Sequence, residues 1–149
     1  MKTAIIYHSS HHGNTKKLLD AIAKAHDVTL INATEDLTAD LSGYGMVGFA
    51  SGIYYGKFHK SVLKAAEKLP KEKKVFFLYT YGAKKEGYTN AISQAAKKSG
   101  ARIMGEYGCF GFDSFGPFKL VGGIAKGHPT PDEINDAVCF FDSLLEGAV

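Results

Sequence analysis

Short apolar runs alternate with helix-period stretches from one end of this chain to the other. The runs are Ala4 to Tyr7, Val28 to Ile31, Met46 to Ala50, Val75 to Tyr81 and Arg102 to Tyr107. Most are continuously apolar rather than alternating, as expected of parallel strands buried on both faces. Val75-Phe76-Phe77-Leu78-Tyr79 is the clearest of them. Between the runs, Thr15 to Ala25 places Leu18, Ile22 and Ala25 on one stripe, and Phe58 to Leu69 does the same with Val62, Ala66 and Leu69 before Pro70 stops it. Tyr88 to Ser99 repeats the pattern with Ala91 or Ile92 and Ala95, and Gly100 follows as a left-handed cap. The last helix has the strongest start signal. Thr130-Pro131-Asp132-Glu133 is a capping box with proline at the first helical position, leading into Ile134, Val138, Phe141 and Leu145. Between Ala33 and Tyr44 the pattern is weak, and Asp36 to Leu41 supports a short helix at most.

Regular alternation of strand and helix predicts an α/β fold: a parallel sheet with helices on both faces, joined by right-handed crossovers. Five strands in 149 residues fit a three-layer sandwich with the doubly wound order 2-1-3-4-5, read as a single domain spanning 1–149. In that order a ligand lies at the carboxyl ends of the first and third strands, where the winding reverses. There are no internal repeats, low-complexity tracts or linkers.

Composition narrows the partners. No apolar run approaches the roughly 20 residues needed to cross a bilayer. The amino terminus turns polar at His8, too soon for a secretory signal. A cytoplasmic protein without membrane contact is expected. The formal charge of +3 is carried almost wholly by lysine, Arg102 being the one arginine. Nucleic-acid readers lean on arginine forks, so no nucleic-acid partner is expected and the lysines are read as solvated surface. Cys109 and Cys139 show no metal spacing, so reduced thiols and no metal site are expected.

The chemistry concentrates in the loops after the strands. The first is Ser9-Ser10-His11-His12-Gly13-Asn14-Thr15, small and hydroxyl-rich, between a buried strand and a helix start. A helix start carries unpaired N–H groups and partial positive charge, so this loop is expected to hold a phosphate. After the third strand comes Ser51-Gly52-Ile53-Tyr54-Tyr55-Gly56-Lys57-Phe58, and after the fourth Thr80-Tyr81-Gly82-Ala83. Both combine glycine, which lets backbone approach a ligand, with tyrosine, flat and apolar on its face and polar at its tip. Cys109-Phe110-Gly111-Phe112-Asp113 repeats that chemistry after the fifth strand. A phosphate cradle faced by aromatic loops suits a flat heterocycle carrying a phosphate.

Other tenants of this architecture fail on residue type. A receiver domain needs acidic residues after the first strand and an aspartate ending the third; here stand His8-Ser9 and Ala50-Ser51. A low-molecular-weight phosphatase needs cysteine and arginine in the first loop, which has neither. The P-loop pattern and the dinucleotide glycine fingerprint are missing there as well.

Over essentially its whole length the chain resembles the flavodoxin family. Ser9-Ser10-His11-His12-Gly13-Asn14-Thr15 matches that family's hydroxyl-rich G-N-T phosphate loop, with two histidines where threonines are more usual. Flavodoxin is itself an instance of the switch-point rule, so rule and resemblance are not independent. The resemblance implies flavin mononucleotide (FMN) as cofactor. It implies Ser9, Ser10, His11, His12, Gly13, Asn14 and Thr15 around the phosphate, Ile53, Tyr54, Tyr55 and Gly56 along the isoalloxazine, Thr80, Tyr81 and Gly82 on its pyrimidine side, and Phe110 nearby. The loop from Ser51 to His59 also resembles that of menaquinone-dependent protoporphyrinogen oxidases. The chain departs from the family in having no tryptophan to stack on a flavin, in its slightly basic charge, and in its long Phe/Gly-rich segment 109–127.

The function expected from the resemblance is low-potential electron transfer by FMN between redox partner proteins, with no residue assigned to catalysis. The alternative is an FMN-dependent reductase or oxidase acting on a quinone, a flavin or a porphyrinogen. A glycine beside the flavin lets the peptide turn its carbonyl, with Gly56 the first candidate and Gly52 the second. A histidine beside a dianionic phosphate holds its proton to higher pH. Affinity for FMN is therefore expected to weaken as pH rises past that point. Matching titrations of the wild type and His11→Ala would dismiss that role.

Overall fold

The computed structural model describes residues 1–10, 12–35, 39–113 and 123–147. Five parallel strands form the sheet: β1 (Thr3–His8), β2 (Val28–Asn32), β3 (Met46–Tyr54), β5 (Lys74–Tyr81) and β6 (Arg102–Phe110), in the order β2-β1-β3-β5-β6. This is the doubly wound order expected from the alternation of apolar runs. A sixth strand, β4 (Lys57–Phe58), folds back antiparallel on the end of β3, pairing Tyr54 with Lys57 and Ile53 with Phe58.

Two apolar layers cover the sheet. Helices α1 (Asn14–Ala25) and α4 (Pro131–Gly147) pack one face, where Leu18, Leu19, Ile22, Phe141 and Leu144 meet Ile5, Met46, Phe76 and Leu78. Helices α2 (Lys60–Glu67) and α3 (Asn90–Lys97) pack the other, where Val62, Ala66, Ile92 and Ala96 meet Ile6, Phe49, Val75 and Phe77. Side chains alternate between the faces along β5: Phe76 goes to one layer and Phe77 to the other, and both are buried. That two-sided burial is why the run reads as continuously apolar. A Cβ on Gly48 would come within 2.4 Å of the Phe76 ring, so the large side chain fills the space the glycine leaves.

The ends of the elements sharpen the expectations. α4 starts at Pro131 with a reciprocal capping box: the Thr130 N–H donates to Glu133 Oε1 at 2.8 Å, and the Glu133 N–H to Thr130 Oγ1 at 3.1 Å. Gly100 closes α3 with φ of 71°. The second helix begins at Lys60, not at Phe58, because Phe58 belongs to β4 and is buried against Phe77 and Tyr79. The fifth strand of the sheet runs on to Phe110, three residues past its apolar run, because Tyr81 pairs with Phe110 at the far end. Of the weak stretch between Ala33 and Tyr44, residues 36–38 lie outside the described residues, and the flanking positions carry turns rather than helix.

Candidate functional site

The carboxyl ends of β1, β3, β5 and β6 surround a shallow cleft open to solvent. It lies at the switch point, where the connections from β1 and β3 run to opposite faces.

The β1–α1 loop forms its floor. Gly13 has φ of 65°, a left-handed turn that brings Asn14 and Thr15 into the first helical turn. The Ser9 hydroxyl accepts the Lys16 N–H at 3.1 Å. Gly13 contributes no side-chain cap and the first turn of α1 contains no acidic residue, which leaves the dipole of the helix start without a local anion. Asn14 Nδ2 donates to the Phe112 carbonyl at 2.7 Å, binding this loop to the end of β6, while the buried Asn14 Oδ1 has no partner among the described residues. The hydroxyls of Thr15 and Thr80 share a buried hydrogen bond of 2.9 Å that joins α1 to β5. His12 stacks on Phe112 with ring centroids 4.1 Å apart. His11 lies outside the described residues.

Gly52, Ile53 and Tyr54 make the second wall, at the end of β3. The β3–β4 hairpin turns on Tyr55 and Gly56, with φ of 52° and 82°. Two positive φ values in a two-residue loop are the mark of a type I′ turn, so hairpin geometry accounts for Gly56. Tyr55 sits at the tip, 88% exposed, and does not line the cleft. Tyr54 folds inward, and its hydroxyl meets Ser10 Oγ at 2.5 Å, linking the hairpin to the β1–α1 loop.

Thr80, Tyr81 and Gly82 at the end of β5 and Gly111, Phe112 and Asp113 beyond β6 complete the cleft. A Cβ on Gly111 would lie 2.7 Å from Asn14 Nδ2, and one on Gly82 2.6 Å from Asp113 Cβ. Both glycines are therefore required by close approach rather than by dihedral angle. Asp113 pairs with Ile124 through two backbone hydrogen bonds of 2.9 and 2.7 Å. Burial pushes the Tyr81 and Tyr88 hydroxyls upward, and holds the Cys109 thiol at about 12, so these groups stay protonated at neutral pH.

Ser10, Asn14, Thr15, Ile53, Tyr54, Thr80, Tyr81 and Gly82 thus meet in one cleft. Ser9 and Gly13 shape its floor from behind. Phe110 stands off the lining, packed edge-on against Tyr81 at 5.0 Å. The sequence places the whole Phe110-Gly111-Phe112-Asp113 segment at this edge and the resemblance singles out Phe110, whereas Gly111, Phe112 and Asp113 are the ones that line the cleft. The signal for them was the length of β6: extending the strand by its period of two moves the loop contacts past Phe110. Among the described residues there is no group of three or more metal-ligating side chains, and no helix is long and apolar enough to cross a membrane. Both cysteines are free thiols, Cys109 buried and Cys139 exposed.

Fold and cleft together define a doubly wound α/β protein with a small-molecule site at its switch point. The chain belongs to the flavodoxin domain family, whose pattern it matches over residues 5–112. It is 38% identical over 149 residues to an uncharacterized protein of Methanocaldococcus jannaschii, covering 98% of this chain and 99% of that one. Among solved structures it is similar to a flavodoxin from the domain Archaea (TM-score 0.68, 18% identity, 99% of each chain). It is also similar to oxidised flavodoxin 2 from Bacillus cereus (TM-score 0.68, 17% identity, 99% of each chain). At such identities these structures speak to the fold.

Proposed function

We propose that this protein binds FMN in the cleft and carries electrons between redox proteins. The observation that supports the reading most is the convergence of a helix start open to an anion with aromatic and glycine walls in a single cleft. The N–H groups at the start of α1, with the hydroxyls of Ser10 and Thr15, would hold the phosphate. Tyr54 and Tyr81, which both line the cleft, would flank the ring. Asn14 Oδ1, buried and without a partner among the described residues, is an acceptor suited to a ligand hydroxyl. FMN when bound supplies the electron chemistry; the protein's part is position, electrostatics and exclusion of water.

A carrier rather than an enzyme is favoured by what lines the cleft. Its described side chains are hydroxyls, an amide, two tyrosines and one carboxylate, with no nucleophile–base pair among them. Purification tests the reading. A yellow protein that releases one FMN per chain supports it, and a colourless one that FMN fails to reconstitute refutes it. Adding NAD(P)H and a quinone separates the roles, since turnover without a protein partner would favour a reductase.

A further inference from the structure

His8 and His59 are brought together from β1 and the start of α2, 51 positions apart in the sequence. Their rings stack face to face, with centroids 3.7 Å apart and planes within 13°. The edge of Tyr54 packs against both, at 5.7 Å from His8 and 5.0 Å from His59. Tyr54 is the residue that ties the β3–β4 hairpin to Ser10. The two imidazoles therefore back the side chain that closes one wall of the cleft.

The protonation state of His59 is set by its bonds. It is the N-cap of α2: its Nδ1 accepts the Ser61 N–H at 3.2 Å and faces the Ser61 hydroxyl at 2.7 Å. An acceptor nitrogen carries no proton, so the neutral ring has its hydrogen on Nε2. A further proton can enter only at Nδ1, where it abolishes the cap and places a cation at a helix N-terminus. Charges nearby oppose it too. Lys60 follows directly, and Lys64, one turn on, lines with His59 a mostly apolar cavity of about 410 Å³. Tyr54 is the titratable group facing the pair from β3. His26 and His128 each pair with a carboxylate at 2.5 Å, whereas neither His8 nor His59 has a carboxylate partner among the described residues. In agreement, burial lowers the proton affinity of both rings, helped at His8 by His59 and at His59 by Lys60.

We propose that the His8–His59 stack is the positioning element that holds Tyr54 against Ser10, and that protonation at His59 Nδ1 releases the hairpin and loosens the cleft's hold on its ligand. This rests on the reading of the cleft as an FMN site. The sign follows from linkage. For an imidazole whose neutral form the closed arrangement favours, the hold is complete above the ordinary value of 6.5 and is lost as pH falls below it.

The test is FMN affinity measured by fluorescence quenching from pH 5 to 8 in three proteins. His59→Asn keeps a capping side chain but removes the ring; His8→Phe keeps the stack but removes one titrating group. Wild type divided by variant at each pH cancels the titration of the phosphate and of the other histidines. The wild type should lose affinity below pH 6.5, by roughly tenfold for each unit separating the held and released pKa values. His59→Asn should bind more weakly at pH 7.5 and lack this acid limb, and His8→Phe should show a shallower acid limb than the wild type. Equal profiles in all three would overturn the proposal. Proton NMR of the purified protein provides a readout that does not need the flavin: the Tyr54 ring signals should move with the His59 titration, and failure to do so also overturns it. Absence of FMN binding with that coupling intact would instead refute the cofactor reading.

Discussion

The two ends of the sheet are made by the same strands and differ in almost everything else. At the carboxyl end, β1, β3, β5 and β6 run out into glycine, tyrosine and hydroxyl residues, and among the described residues Asp113 is the one charged side chain lining the cleft. At the amino end the turns are crowded with cations. The connection from α2 to β5 exposes Lys68 and Lys71, and around the turn from α3 to β6 Lys97, Lys98 and Arg102 are exposed. Hydrogen bonds join these turns, from the Glu72 N–H to the Ser99 carbonyl at 3.1 Å and from the Arg102 N–H to the Lys73 carbonyl at 2.9 Å. Helices α2 and α3 run antiparallel to the strands, so their negative carbonyl ends face the amino end of the sheet, where lysine in the last turn is stabilising. The positive ends of the helices face the cleft. Charge at one end thus has a structural explanation, and at the other the exposed Lys84, Lys85 and Glu86 stand outside the lining of the cleft.

The contrast can be broken by substitution. Phe76→Ala, in the buried middle shared by both ends, should cost about 3–5 kcal/mol of stability in denaturant unfolding and lower FMN binding only through the folded fraction. A loss of affinity with the fold intact would mean the core, not the loops, sets the site. Thr15→Val removes one half of the buried Thr15–Thr80 bond and leaves Thr80 unpaired, at a cost of about 1–3 kcal/mol, and should also weaken FMN binding. Gly111→Ala presses against Asn14, and overpacking of this kind costs about 1–3 kcal/mol. FMN affinity should fall with it while circular dichroism remains native. The smallest effect belongs to the other end: Lys97→Gln should cost about 0.3–1 kcal/mol at low salt, less in high salt, and leave FMN affinity unchanged. If Lys97→Gln weakened FMN binding as much as Gly111→Ala, the division between the two ends would fall.

Two pH effects sharpen the same picture. The acid limb expected from His8 and His59 belongs to the cleft end. A separate, smaller one belongs to the capping box of α4. Burial works against the Glu133 carboxylate, but the Thr130 amide and His128 hold its pKa below the usual range. Its contribution to stability is therefore complete above the ordinary carboxylate value and is lost as pH falls through the lowered one. Glu133→Gln should flatten stability in that acid window without altering the FMN profile near pH 6.

Local pattern carried most of the architecture. The five apolar runs, the stripes of the helices, the capping box at Thr130–Glu133 and the cap at Gly100 each depend on residues within a few positions of one another, so they can be read from the chain. The strand order and the cleft's location followed from those elements through chain connectivity. Local pattern misled where a neighbour overrode it. Phe58 lies on the helical stripe with Val62 and Ala66, yet a type I′ turn at Tyr55-Gly56 draws it into β4. Tyr54 and Tyr55 are indistinguishable by composition, but pairing of Tyr54 with Lys57 sends one ring into the cleft and leaves the other at the tip.

What the sequence determined by itself is thus the set of elements, their order and the kinds of residue at each loop. Tertiary structure alone decided which of those residues meet. Asn14 and Phe112 are 98 positions apart, Thr15 and Thr80 65, and His8 and His59 are joined only because β1 pairs with β3 and the hairpin turns β4 back. Helical and strand periods repeat over two to four residues and carry no information on such distances. The contacts across the cleft exist because the sheet sets its strands side by side, and the chemistry of the site begins there.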